Sequence, residues 1–124
     1  MTKPSAVSRL GQISLTVTSL EKAKEFYRDQ VGLPLLFEVP SMAFFDCGGV
    51  RIMLTLPEGG TPPSNSVLYF LVPDIDAKHG EMKAGGVEFV REPHLLAKMP
   101  DHELWMAFFR DPDLNLMALM CEKR

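Results

Sequence analysis

The sequence holds no apolar run long enough to cross a membrane and no cluster of basic residues, and its formal net charge is −3. A spanning helix needs about 20 consecutive apolar residues, so none is expected. A nucleic-acid partner needs a basic surface, so none is expected either. Met1 to Leu10 lacks the apolar core of a secretion signal, which points to a cytoplasmic protein. Cysteine is scarce: Cys47 and Cys121 are too far apart in sequence for a metal or redox motif, and each falls in or beside an apolar stretch. Buried free thiols in a reducing compartment follow. The three histidines, His79, His94 and His102, show no metal-ligand spacing.

What is present is an ordinary globular composition, 46% hydrophobic and 23% charged over 124 residues, enough for one domain. Within it a pattern occurs twice. Gln12-Ile13-Ser14-Leu15-Thr16-Val17, Leu20 to Val31 and Gly32-Leu33 reappear as Val67-Leu68-Tyr69-Phe70-Leu71-Val72, Ile75 to Ala84 and Gly86-Val87. Ala43-Phe44-Phe45 is echoed by Ala107-Phe108-Phe109, and Ile52-Met53-Leu54 by Met117-Ala118-Leu119. A single repetition at this period indicates a duplicated strand-helix-strands module, the first at about residues 10–58 and the second at about 66–122.

Gln12 to Val17 alternates polar and apolar residues, as a half-buried strand does. Thr18 and Ser19 are N-cap candidates, with Glu21 at capping-box distance from Thr18. Leu20, Ala23, Phe26, Tyr27 and Val31 recur at helical spacing, and Gly32 supplies the stop. Pro34–Val39, Ala43–Cys47 and Val50–Leu56 read as strands. Gly59 to Asn65 is the one linker-like segment. In the second module, Val67–Val72 is a strand and Pro73-Asp74 opens a helix ending near Ala84. Val87–Pro93, Leu104–Phe109 and Leu116–Cys121 follow as strands. The expected fold is α+β, βαβββ twice over.

At this point a family resemblance rests on specific residues. Ala23-x-x-Phe26-Tyr27-Arg28-Asp29-x-Val31-Gly32-Leu33 resembles the first-module helix of the vicinal oxygen chelate superfamily, which includes glyoxalase I, bleomycin-resistance proteins and extradiol dioxygenases. Gly85-Gly86-Val87-Glu88-Phe89 and Phe108-Phe109-Arg110-Asp111-Pro112-Asp113-Leu114-Asn115 agree in the second half, with Leu114 standing where the family usually has glycine. The resemblance implies paired modules curving into an open, barrel-like sheet around a concave cavity, often completed in a homodimer. It also implies, for catalytic members, a metal held from the first and last strand of each module. The matching positions here are Gln12, Met53, Val67 and Ala118. Such cations take imidazole and carboxylate ligands, which these positions lack. No metal and no other cofactor is therefore expected, and the metal-free, ligand-binding branch fits best.

The polar chemistry concentrates in His94 to Trp105. Ala43 and Ala107 are 64 positions apart against 55 for Val17 and Val72, so about nine residues are inserted there, a length typical of lids and binding loops. His102 or Glu103 could transfer a proton, which keeps a glyoxalase-like lyase or isomerase open as the alternative, although on a regular strand the two would face opposite sides. A ligand pocket is expected from Gln12, Ser14, Arg51, Met53, Tyr69, Trp105 and Met120: apolar, with a few directional polar groups. Arg51 suits a carboxylate or phosphate, and Trp105 a planar ring, though core packing is the plainer role for Trp105 and the Phe-Phe pairs.

Overall fold

The structure is a computed structural model that describes residues 9–57 and 66–124, so the Gly59–Asn65 linker and most of the Met1–Leu10 stretch lie outside the described residues. The chain divides into two compact units, Met1–Pro62 and Pro63–Arg124. Each carries one four-stranded mixed sheet that does not close on itself, and the two sheets share one topology.

In the first unit β1 (Gln12–Thr16) leads to α1 (Leu20–Glu25), then β2 (Leu35–Val39), β3 (Met42–Cys47) and β4 (Val50–Thr55). The sheet order is β1-β4-β3-β2, with β1 parallel to β4 and the remaining pairs antiparallel. Ser19 is the N-cap of α1, its hydroxyl accepting the Lys22 N–H at 3.3 Å. Ser19, not Thr18, is thus the N-cap, which makes Lys22 the third helical residue; the Glu21 carboxylate pairs with Lys24 at 2.9 Å. The expected helix to Val31 is present but changes character: Phe26–Val31 widens into a π-helix. Both Gly32 and Leu33 donate their N–H to the Tyr27 carbonyl, at 3.1 and 2.9 Å. Gly32 sits at φ 91°, which a side chain would strain. Alternation along the strands sends Leu15, Ala43, Phe45, Ile52 and Leu54 to the helix side, where they bury Ala23 and Tyr27 completely.

The second unit repeats the plan with β5 (Leu68–Leu71), α2 (Ile75–Ala84), β6 (Phe89–Lys98), β7 (Glu103–Arg110) and β8 (Leu116–Lys123), in the order β5-β8-β7-β6. Asp74 caps α2 by accepting the Ala77 N–H at 3.0 Å, and α2 buries Ile75 and Met82 against Phe70, Ala107, Phe109, Met117 and Leu119. The inserted residues form no lid. They lengthen the β6–β7 hairpin, whose strands have 10 and 8 residues where β2 and β3 have 5 and 6. The strand expected to stop at Pro93 continues to Lys98, because β6 is an edge strand, where a missing N–H need cost no ladder bond. Register shifts between Arg91 and His94 and between Leu95 and Ala97 absorb the irregularity.

After β7, the Asp111-Pro112-Asp113-Leu114-Asn115 turn is built around one buried carboxylate. Asp111 Oδ1 accepts the backbone N–H of Asp113 (2.9 Å) and Asn115 (2.8 Å), and Oδ2 accepts the Asn115 side-chain amide at 2.9 Å. Leu114 adopts φ 67°, the left-handed region, with its side chain 71% exposed.

Candidate functional site

Within its own unit each sheet packs its helix on one face and leaves the other open, and these open faces gather the side chains best suited to a ligand. In the first unit Gln12 stands opposite Arg51, and Ser14 opposite Met53, which in turn stands opposite Phe44. Residues opposite one another in a ladder share a face, so Gln12, Ser14, Arg51, Met53 and Phe44 lie together. The Gln12 side-chain amide reaches Met53 Sδ at 3.7 Å. The Arg51 guanidinium lies 5.9 Å from the Phe44 ring centre, and Phe44 stacks on Phe37 at 4.4 Å. Asp46 faces Arg51 across the ladder but accepts the Gly49 N–H at 3.1 Å. Among the described residues Arg51 forms no ion pair. The charge is exposed, flat and supported by an aromatic ring, the arrangement that favours a carboxylate or phosphate.

In the second unit two cross-strand rows form the open face. One runs Tyr69–Ala118–Phe108–Arg91 and the next Leu71–Met120–Met106–His94. Tyr69 meets Phe108 edge-on at 6.3 Å, and His94 stacks on the same ring at 6.2 Å. Trp105 does not join them. It pairs with buried Cys121, and adjacent strand residues point to opposite sides, so Trp105 shares the helix-side face with Glu103 and Lys123. Its indole N–H donates to Glu103 Oε1 at 3.1 Å, and Lys123 Nζ lies 4.1 Å above its ring. The structure therefore brings Gln12, Ser14, Arg51 and Met53 together, and Tyr69 with Met120, but sets Trp105 on the far side of the second sheet.

His102 and Glu103 lie elsewhere, in a cleft of about 480 Å³ at the tip of the β6–β7 hairpin, lined by Lys98, Asp101, His102, Glu103, Lys123 and Arg124 among others. His102 precedes the first residue of β7, so strand alternation does not separate it from Glu103, and both line the cleft. Asp101 Oδ1 is 2.7 Å from His102 Nδ1, and that hydrogen bond holds the Asp101 carboxyl below its usual range. Lys123 is held above its usual range by its bond to Asp76.

Sequence reasoning favoured the core over ligand contact for Phe44 and Phe108. In each Ala-Phe-Phe triplet only the outer residues are buried: Ala43 and Phe45, Ala107 and Phe109. The middle phenylalanine faces the open side, as a period of two requires.

The resemblance implies a divalent cation at Gln12, Met53, Val67 and Ala118, and these side chains do not fit one. Gln12 turns its amide nitrogen toward a thioether, Val67 carries no donor atom, and Ala118 ends in a fully buried methyl. A lone neutral amide oxygen and one thioether form no site for a hard or borderline cation. Among the described residues no group of three His, Cys, Asp or Glu side chains converges, so His94, His102 and Glu103 do not substitute for it.

A family model described as "Glyoxalase/Bleomycin resistance protein/Dioxygenase superfamily" matches residues 9–119. YraH of Bacillus subtilis (strain 168), an uncharacterised protein, is 33% identical across 90% of this chain and 96% of its own length. Among solved structures, lactoylglutathione lyase from Agrobacterium tumefaciens superposes with a TM-score of 0.74 at 22% identity, covering 96% of each chain, a likeness of fold alone. TnmS3, an antibiotic binding protein from Streptomyces sp. CB03234, superposes with a TM-score of 0.73 at 28% identity, covering 95% of this chain and 98% of that one.

Proposed function

This chain belongs to the glyoxalase/bleomycin resistance protein/dioxygenase superfamily, and from that premise we propose that it binds a small organic molecule without a metal ion, on the open faces of its sheets. The observation that carries this reading is the pair Gln12–Met53. Where catalytic relatives are expected to place ligands, this chain has an amide resting on a thioether at 3.7 Å, next to the Phe44 ring and an exposed Arg51 that has no ion-pair partner among the described residues. Those groups favour a planar molecule with an anionic substituent. The similarity to an antibiotic binding protein supports the same class of function. The homodimer and the cytoplasmic location belong to this reading; light scattering and cell fractionation test them.

The deciding experiment measures metal content in untagged protein purified without chelator, then follows binding of a panel of planar carboxylates by calorimetry with and without EDTA. Metal-free protein that binds in both conditions supports the reading. One tightly held divalent ion per chain, or binding abolished by EDTA, would overturn it.

A second reading has its own observation. The 2.7 Å bond between Asp101 and His102 Nδ1 fixes the ring and leaves Nε2 free beside the cleft, the geometry of a general base with its orienting carboxylate. Glu103 is tied to Trp105, so His102 is the proton-transfer group of a lyase or isomerase in this reading. Its test is a pH-dependent turnover that disappears in His102→Ala; a variant that turns over normally refutes it.

A further inference from the structure

His94 contains an unsatisfied buried atom. Its Nδ1 lies 2.8 Å from the Glu92 carbonyl oxygen. A carbonyl has no proton to give, so Nδ1 carries the proton, and in the neutral ring Nε2 is a bare lone pair. That Nε2 is out of reach of water and has no hydrogen-bond partner among the described residues. A buried acceptor left this way is a net loss to the folded chain, and such groups mark functional positions or absent partners. A half-turn of the ring would give up the Glu92 bond, and any smaller turn its stacking on Phe108. The imidazole is thus fixed in tautomer and in orientation, with its acceptor bare.

The surroundings indicate what would satisfy it. His94 lies on the open face of the second sheet, in the row of Met106 and Met120 and beside the Phe108–Tyr69 pair, whose tyrosine is 49% exposed. Aromatic faces receive a planar ring, and thioether side chains move aside at little cost. Because water does not reach Nε2, the donor has to arrive on the group that displaces its cover.

We infer that His94 Nε2 is the hydrogen-bond acceptor of a ligand site on this face, and that the ligand class is an aromatic hydroxyl compound whose ring lies against Phe108 and Tyr69. This rests on the binding function proposed above and specifies its chemistry: the hydroxyl proton meets Nε2, and Nδ1 stays on the Glu92 carbonyl. Met106 and Met120 set the depth to which the ring enters.

The test compares 1-naphthol with 1-methoxynaphthalene, which has the same ring system but no proton to donate, by calorimetry on the full chain. In the unmodified protein 1-naphthol binds about tenfold more tightly, the worth of one net hydrogen bond to a buried acceptor. In His94→Phe the ratio falls to about one, and in His94→Gln, which keeps an acceptor, part of it returns. Nitrogen NMR of the unmodified protein gives a readout independent of any variant: 1-naphthol moves the His94 Nε2 resonance and leaves Nδ1, and 1-methoxynaphthalene moves neither. Equal affinity for the two probes, or a ratio unchanged in His94→Phe, overturns the acceptor role and leaves the binding reading standing. Failure of both probes to bind overturns the aromatic class, and the panel of planar carboxylates then tests the binding reading separately.

Discussion

Replacing Leu114 with glycine is expected to stabilise the protein. Leu114 holds φ 67° in the turn after β7, where its Cβ crowds the backbone. For an L-residue the left-handed conformation costs about 1–2 kcal/mol. Glycine removes that strain but loosens the unfolded chain, which takes back about 0.4–1 kcal/mol. Little else changes. The side chain is 71% exposed, and the turn's bonds at this residue, Leu114 N–H to the Asp111 carbonyl (2.9 Å) and Arg110 to the Leu114 carbonyl (3.0 Å), involve backbone atoms of residue 114. The net gain is about 0.5–1 kcal/mol. Unfolding entropies near ~2.1 cal/mol/K per residue convert this, for a chain of this length, to a rise in Tm of about 2–4 °C. Circular dichroism melts and urea midpoints measure it, with Leu114→Ala as the control: alanine keeps the Cβ and the strain, and its Tm stays where it was. A Leu114→Gly protein that melts at or below the parent, or an alanine variant that rises equally, refutes the reasoning.

Three further outcomes are expected. Asp111→Ala removes the acceptor of two backbone N–H groups and one side-chain amide in the same turn and costs about 3 kcal/mol, read from urea midpoints; a loss below about 1 kcal/mol would show that the turn holds itself. The Lys83 bond holds the Glu92 carboxyl below its ordinary value of 4.5, and the His102 bond holds Asp101 below its ordinary 3.8. Folded values below unfolded ones mean stability that is present at neutral pH and is lost as pH falls below these values toward the folded ones; Glu92→Gln should flatten that acid limb, and an unchanged limb would remove Glu92 from the account. Cys47, expected to be buried, is only half-buried; its partial burial, then the charge of Asp46, pushes the thiol up, so it should react with disulfide reagents at pH 7.5 more slowly than a free thiol, with full reactivity returning in urea; equal rates in both conditions would contradict this partial burial.

The duplicated βαβββ plan was legible because alternation and helical spacing are local properties. Gln12–Thr16, Asp74 and Gly32 play the roles their chemistry predicts. What failed to show was whatever tertiary context decides. Pro93 reads as a strand end, yet an edge strand tolerates it. Phe26–Val31 has ordinary helical spacing, yet it is a π-helix in the structure. The candidate site followed the same division. Gln12, Ser14, Arg51 and Met53 share one face, as period two implies. Trp105 sits one step out of phase with Met106 and Met120, and the bulges in β6 that set the rows of the second open face leave no sequence signature. His94 gave no hint that one of its nitrogens would be buried and unpartnered.

Among the described residues the first strand of each sheet has a single neighbour, and that neighbour is the last strand of its unit: β1 pairs with β4, and β5 with β8. This ordering has a kinetic consequence. The hairpins β2–β3–β4 and β6–β7–β8 join neighbours in sequence, whereas the parallel pairs close the longest loop in each unit, and contacts across long loops form late. Folding is then expected to pass through a three-stranded meander whose future centre, Ile52-Met53-Leu54 in β4 or Met117-Ala118-Leu119 in β8, is temporarily a bare apolar edge open to pairing between molecules. Pulse-labelled hydrogen exchange would show β3 and β4 amides protected before those of Gln12–Thr16; simultaneous protection would show that β1 docks as the meander forms.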